Sequence, residues 1–119
     1  MRALRRLVVV SLLVGFTRAA VAQERCTADP VACAPSRFAE GERLFREGRF
    51  REGLDVFTAV YTAWDRAVVL LYMVRCQVEL GRLPDAVDGL AALDLRPDLA
   101  EIELDPTLRD AHQRARDRV

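Results

Sequence analysis

One sequence pattern occurs twice in the chain, as REGRFREGLDVF at residues 46–57 and as ELGRLPDAVDGL at residues 79–90. In each segment the shared pattern begins with a glycine, an arginine and a large apolar residue, starting at Gly48 or Gly81. Two variable residues follow, then a small residue and an aliphatic residue. After two more variable residues the pattern ends with a second large apolar residue. The offset between the two segments is 33 residues throughout. Because internal periods of this length are typical of helical hairpins that stack on one another, the pattern predicts one hairpin built twice.

Apolar residues around the two segments recur at helical spacing, which predicts hairpins over about residues 36–64 and 67–97. Each hairpin has a first helix, a turn at Gly48 or Gly81, and a second helix, since glycine adopts the left-handed backbone that often ends a helix. No segment shows the alternating pattern of a β-strand. The predicted fold class is therefore all-α, with two stacked antiparallel helical hairpins over residues 36–97.

Three polar residues are the predicted N-caps of helices. Ser36 precedes the first helix, Asp65 the third, and Asp105 a last helix over residues 106–118. The apolar stripe of that last helix is thin and consists of Leu108, Ala111 and Ala115. We expect the stripe to lie on the fourth helix, so that the last helix caps the stack at its C-terminal end.

The N-terminal segment has the layout of a secretory signal peptide. Three arginines within the first six residues precede an apolar run from Leu7 to Phe16, and Ala20 and Ala22 supply the small residues that a signal peptidase recognises. The alternative is a membrane anchor, but the run is short of the about 20 apolar residues that a spanning helix needs. We therefore predict cleavage of residues 1–22 and no stable membrane span afterwards.

Composition narrows the partners and the compartment. After removal of the signal peptide, the chain has 14 arginines and 18 acidic residues, which gives a net charge of −4. This balance does not favour nucleic acid or an anionic membrane as partner. The chain contains no Lys and no Asn, a composition typical of a GC-rich genome. An exported bacterial protein without an anchor is expected first in the periplasm and second as a secreted protein.

Cysteine usage fits export. Cys26 and Cys33 lie in a predicted irregular leader over residues 23–35, and they are a candidate disulfide in an oxidising compartment. Cys76 falls in an apolar helical pattern, so we expect a buried side chain. The spacing matches neither a C-x-x-C redox site nor a zinc site, and the prediction is therefore no metal and no cofactor.

The repeated segments carry a resemblance to the tetratricopeptide repeat family, whose period is 34 residues. The resemblance covers about residues 34–97 and includes the turn glycines named above. In that family a small residue in each helix lets the two helices of a hairpin approach closely. The matching positions are Gly41 and Gly53 in the first repeat and Val74 and Ala86 in the second.

The resemblance implies a concave face, formed by the first helix of each repeat, that binds a protein or peptide ligand. The matching positions are Phe38, Glu42, Phe45, Arg46, Leu71, Tyr72, Arg75, Val78 and Glu79. Two alternatives remain open: Glu42 and Arg75 pair with each other, and Phe38 and Phe45 belong to the core. Some family members clamp a C-terminal carboxylate with Lys and Asn, and this chain has neither residue type.

An enzymatic function is not predicted. His112 is the only histidine, expected on a solvated surface, and no nucleophile–base–orienter set can be assembled around it. The sequence instead favours an exported, non-enzymatic interaction module of the cell envelope. The alternatives are a structural subunit that docks into a larger assembly through the edge of its repeats, which includes self-association, and a thiol-active accessory protein.

Overall fold

The structure is a computed structural model that describes residue 26 and residues 28–119. The chain divides into two units, residues 1–33 and 34–119. The described residues form helices and no strand, which confirms the all-α prediction for this part of the chain. The helices are α1 (Pro30–Arg46), α2 (Phe50–Ala63), α3 (Ala67–Glu79), α4 (Leu83–Asp94), α5 (Ala100–Glu103) and α6 (Pro106–Asp117). The predicted signal peptide lies outside the described residues.

None of the helices in the described part of the chain combines the length and the apolar character needed to cross a membrane.

The turns α1–α2 and α3–α4 share one backbone geometry. Gly48 has φ 76° and Gly81 has φ 72°, the left-handed conformation that the sequence predicted for both. The hydrogen bonds that close the turns run from Arg49 N to Leu44 O and from Arg82 N to Gln77 O, at 2.9 Å in each turn. The 33-residue offset of the sequence pattern is therefore also the offset between the two turns.

Both hairpins depend on a glycine where their helices approach. A Cβ added at Gly41 would lie 2.6 Å from the ring of Phe57 on α2. A Cβ added at Gly89 would lie 2.5 Å from Cγ2 of Val74 on α3. The small residue thus lies on the first helix of one hairpin and on the second helix of the other, because position 74, which corresponds to Gly41, holds a valine.

Helix α1 begins at Pro30, six residues before the predicted cap Ser36. The predicted irregular leader over residues 23–35 is therefore helical in its last part, and Ser36 lies inside the helix. The physical reason is a cap at Asp29, whose Oδ1 accepts from Ala32 N at 3.1 Å. Proline is suited to the first turn that follows, since its missing N–H has no helical partner there.

The start of α3 is capped from elsewhere in the chain. Asp98 Oδ2 accepts from Ala67 N at 2.9 Å, whereas the predicted cap Asp65 accepts from Arg96 Nη1 at 2.6 Å. Arg96 also donates to Asp98 Oδ1 at 2.7 Å and to the Tyr61 hydroxyl at 2.7 Å. The hydrogen bond from Arg96 lowers the pKa of Asp98. This network fixes the α2–α3 turn to the segment after α4.

The core contains an aromatic part and an aliphatic part. In the aromatic part, Phe57 lies 5.5 Å from Phe38 and 5.0 Å from Tyr72, measured between ring centroids. In the aliphatic part, Leu71 and Leu93 pack with Ile102. Ile102 belongs to α5, a helix that the sequence analysis did not predict within its acidic surroundings.

Helix α6 begins as predicted, because Asp105 Oδ1 accepts from the backbone N–H groups of Thr107 and Leu108. It packs mainly against α3 and α5. Ala115 clusters with Val74 and Val78 of α3 and also with Ala86 and Leu90 of α4. The expected contact with α4 is therefore present at Ala115, while α3 and α5 form the larger part of the packing surface.

Candidate partner-binding groove

Leu71 does not lie on the predicted concave surface. Its side chain is fully buried in the aliphatic part of the core, and Val78 is also buried. Leu71 clusters with Ile102 of α5, and Leu108 of α6 packs against the same cluster. The sequence analysis treated these positions as exposed because it did not place α5 and α6 over α3.

Three further residues of the predicted surface form a connected cluster between α1 and α3. The Tyr72 hydroxyl donates to Glu42 Oε2 at 3.0 Å. Burial, together with this hydrogen bond, raises the pKa of Tyr72. Phe38 packs edge-to-face on Tyr72 with 5.2 Å between ring centroids. Phe38 therefore belongs to the core, and Glu42 pairs with Tyr72 instead of with Arg75.

A groove of about 240 Å³ lies between α1, α3 and α6. Its lining residues are Phe45, Arg75, Val78, Glu79, Ala111, Arg114, Ala115 and Arg118. Val78, Ala111 and Ala115 are buried and form an apolar floor. Four of the nine predicted surface residues are among the lining residues. Arg46 is exposed at the end of α1 and is not one of them.

Arg75 forms one wall of the groove. Its guanidinium lies 4.4 Å from the ring centroid of Phe45 and 4.9 Å from that of Tyr72. Cation–π contacts of this kind orient the guanidinium without neutralising its charge. No carboxylate among the described residues forms an ion pair with Arg75. The planar donor group is therefore held in place while its positive charge remains available to a ligand.

Helix α6 supplies the opposite wall. Arg118 donates to Glu79 of α3, and this ion pair connects the two walls. Arg114 is exposed, and no ion pair joins it to a described carboxylate. The lining thus contains three arginines and one glutamate, although acidic residues outnumber basic ones in the predicted mature chain. The groove is therefore a local basic surface on a chain whose basic and acidic residues are equal in number.

The sequence analysis missed the contribution of α6 to this groove. It described the last helix only as a cap at the C-terminal end of the stack. The signal that could have found the groove is a double spacing on α6: Ala111 and Ala115 are four residues apart, and so are Arg114 and Arg118. In a helix this spacing places two alanines and two arginines in parallel rows, an apolar floor beside a basic wall.

A second, wider depression of about 540 Å³ lies on the other side of α3, between α2 and α4. Its lining includes three aspartates, Asp55, Asp85 and Asp88, and one arginine, Arg82, so this surface is acidic on balance. Gln77 lies in it, two residues from Arg75, and residues at that spacing point to opposite sides of a helix. The depressions on the two sides of α3 therefore differ in charge, and α2 and α4 supply the aspartates.

The cysteines form two classes. Cys26 and Cys33 are joined in the structure, with 5.3 Å between their Cα atoms, as the predicted pairing requires. Cys76 is free and fully buried beside Gly53, and burial raises its pKa to about 12.

Among the described residues, no three His, Cys, Asp or Glu side chains converge on a point where a metal ion could be held.

His112 is buried, which corrects the expectation of a solvated side chain. Its Nε2 accepts from Arg116 Nε at 3.2 Å, so the imidazole is neutral in this arrangement. Burial, reinforced by the charge of Arg116, lowers the pKa of His112. The inward-facing stripe of α6 is therefore wider than the three apolar residues predicted.

Comparison of the chain with protein-family models, with curated proteins and with solved structures gives no match. The tetratricopeptide resemblance stays a prediction that is based on the repeated segments.

Proposed function

We propose that the chain is an exported, non-enzymatic, tetratricopeptide-like module that binds a protein or peptide in the groove between α1, α3 and α6. The observation that carries this proposal is the combination of an apolar floor with an oriented, unpaired guanidinium at Arg75. Interfaces are typically built from a buried apolar centre and a polar rim, with arginine and aromatic residues enriched at the centre. Phe45 and Arg75 supply that pair of residue types.

Export is part of the proposal and is based on the predicted signal peptide. The bond between Cys26 and Cys33 supports it, because disulfides persist in oxidising compartments. The periplasm is the proposed location, and secretion into the medium is the second candidate.

Docking through the edge of the repeats is the weaker alternative. The outward face of α6 is polar and exposed, with Arg109, Asp110 and Gln113, as expected of a cap. The apolar residues proposed for such an edge, Leu108 and Ala111, point inward, where Ala111 is buried. The exposed apolar side chains near this end are instead Leu95 and Leu104, so an assembly contact or self-association would have to use them and not the stripe of α6.

A thiol-active function is also weaker. The nucleophilic form of cysteine is the thiolate, and a buried thiol with a pKa of about 12 is almost entirely protonated. Titration of the native protein with a thiol reagent should therefore show one slow thiol, Cys76. Three thiols that react rapidly without a reductant would instead favour redox chemistry.

The proposed binding site can be tested in living cells by photo-crosslinking. A photo-reactive amino acid is introduced in place of Arg118, which lines the groove at the end of α6 and is already paired with Glu79, or, as matched control, in place of Arg109 on the outward face of α6. We expect a discrete crosslinked partner from position 118 and none from position 109. Crosslinks from position 109 alone, or from neither position, would contradict the proposal.

A further inference from the structure

The charge of the groove indicates the chemistry of its ligand. Resting on the function proposed above, we infer that the groove binds an acidic segment of a partner protein, in which two carboxylate side chains flank an aliphatic one. The two carboxylates are inferred from the two unpaired arginines in the walls of the groove, and the aliphatic residue is inferred from the apolar side chains of its floor.

Two arginines on different helices remain without a carboxylate partner. Arg75 belongs to α3 and Arg114 to α6, and each presents a planar fork of donors that matches a carboxylate in a bidentate way. The third arginine, Arg118, is already paired with Glu79. Two unpaired guanidinium groups on opposite walls can therefore each bind one carboxylate of the ligand. A chain terminus supplies only one of the two, so at least one belongs to an Asp or Glu side chain, and an internal acidic segment supplies both in this way.

The floor requires an apolar group between those carboxylates. Val78, Ala111 and Ala115 are buried, and the alanine side chains leave space above them. A volume of about 240 Å³ is below the range of about 300–1,000 Å³ that is typical of small-molecule pockets. It therefore suits one anchoring side chain of an extended or helical segment. A phosphate or a lipid headgroup would not use this floor, which is why a peptide is the favoured occupant.

The experiment starts from a random peptide library displayed on phage, where the peptide's C-terminus is fused and carries no free carboxylate. The target is the complete mature chain. We expect enrichment of sequences with at least two acidic residues around an aliphatic one. Enrichment of basic or uncharged sequences, or no enrichment at all, would overturn the inference.

Synthetic versions of the enriched peptide then separate the sources of charge. Replacement of its acidic residues by their amides should weaken binding at least about tenfold for each bidentate pair lost. Amidation of the C-terminus should leave the Kd unchanged. Loss of binding only on amidation would overturn the inference in favour of a chain terminus. Competition by inorganic phosphate or by vesicles with anionic lipid, at concentrations that matched sodium chloride does not mimic, would overturn it in favour of those ligands.

Variants of the protein connect the binding to the two arginines. Arg75→Gln and Arg114→Gln should each weaken the acidic peptide at least about tenfold, whereas Arg109→Gln on the outward face of α6 should not. Equal effects from all three variants would indicate unspecific charge attraction and contradict the site. If crosslinking from position 118 captures a partner but the selected peptides are not acidic, this inference fails while the proposed function stands.

Discussion

The two hairpins of this protein have the same turn but solve the same packing problem in opposite ways. In α1–α2 the glycine that leaves no room for a methyl group lies on the first helix, where Gly41 faces the ring of Phe57. In α3–α4 such a glycine lies on the second helix, where Gly89 faces Val74. The comparison teaches that the repeat preserves the distance between paired helices and not the residue at each position.

The hairpins also differ in the chemistry of their cores. Every aromatic residue of the chain precedes Met73, so the first hairpin packs through rings and the second through aliphatic side chains. An aromatic ring offers a face on which a charged side chain can stack, and the guanidinium of Arg75 stacks in this way on Phe45 and Tyr72. The groove lies where the aromatic part meets α6, and this position gives it both an oriented cation and an apolar floor.

The largest expected effect is from Phe57→Ala, which removes the centre of the aromatic part. Phe57 is fully buried, and such a truncation costs about 3–5 kcal/mol of unfolding free energy. The corresponding change in the second hairpin, Leu90→Ala, should reduce the unfolding free energy by less than Phe57→Ala does, within the range of about 2–5 kcal/mol for Leu→Ala, because the lost side chain is smaller and slightly exposed. Urea unfolding monitored by circular dichroism measures both. Equal losses would contradict the asymmetry of the two cores.

Gly41→Ala and Gly89→Ala test the exchanged small positions. Each adds a methyl group that overlaps a buried side chain, so we expect a net loss of about 1–2 kcal/mol after the better helix propensity of alanine is included. The loss at Gly89 should shrink when Val74→Ala is combined with it, because the overlapping methyl group is then absent. A double variant whose loss equals the sum of the two single losses would show that these residues do not meet.

Arg96→Met should cost about 1–3 kcal/mol, because Asp65 and Asp98 lose their shared donor. The lowered pKa of Asp98 gives a second test. Its contribution is complete above the unfolded-state value of 3.8 and is lost as the pH falls through the lower folded-state value. In Arg96→Met, the decrease of stability that comes from protonation of Asp98 should be absent from the acid-unfolding curve. An acid-unfolding curve identical to that of the wild type would show that Arg96 does not lower the pKa of Asp98.

His112 should produce a smaller dependence of stability on pH. Because its folded-state pKa lies below 6.5, the ordinary value for histidine, the unfolded chain binds the proton more readily. Stability is therefore complete above pH 6.5 and falls as the pH drops toward the folded-state value. Melting curves between pH 7.5 and about 5 should show this fall in the wild type and a weaker one in His112→Gln. A parallel fall in both would assign it to other groups.

The smallest effect on stability is expected from Arg114→Gln. The side chain is exposed and forms no ion pair with a described residue, so the change should stay within about 0.5 kcal/mol. The same variant should weaken ligand binding, which separates the groove from the core. A large loss of stability would instead make Arg114 a structural residue.

The two hairpin turns and the start of α6 were predictable because their signals are local. Gly48 and Gly81 determine the turns through their own backbone, and Asp105 caps the helix that directly follows it. The cap of α3 was not predictable from spacing, because Asp98 reaches it from 31 residues away. For the same reason the burial of Leu71 was missed: it depends on where α5 returns across the molecule.

The residues of the candidate site also fall into a group that the sequence predicted and a group that it did not. The resemblance to a repeat family pointed to Phe45, Arg75 and Glu79, which do line the groove. It could not point to Arg114, because α6 lies beyond the repeated segments and its position depends on a long-range contact with α3.

The central claim is that a partner occupies the groove between α1, α3 and α6. The most direct measurement is chemical-shift mapping of the isotope-labelled mature chain on addition of the partner recovered by crosslinking. The account predicts that the largest shifts fall on the backbone amides of Arg75, Glu79, Arg114 and Arg118. Shifts confined to the acidic face formed by Asp55, Asp85 and Asp88 would contradict it.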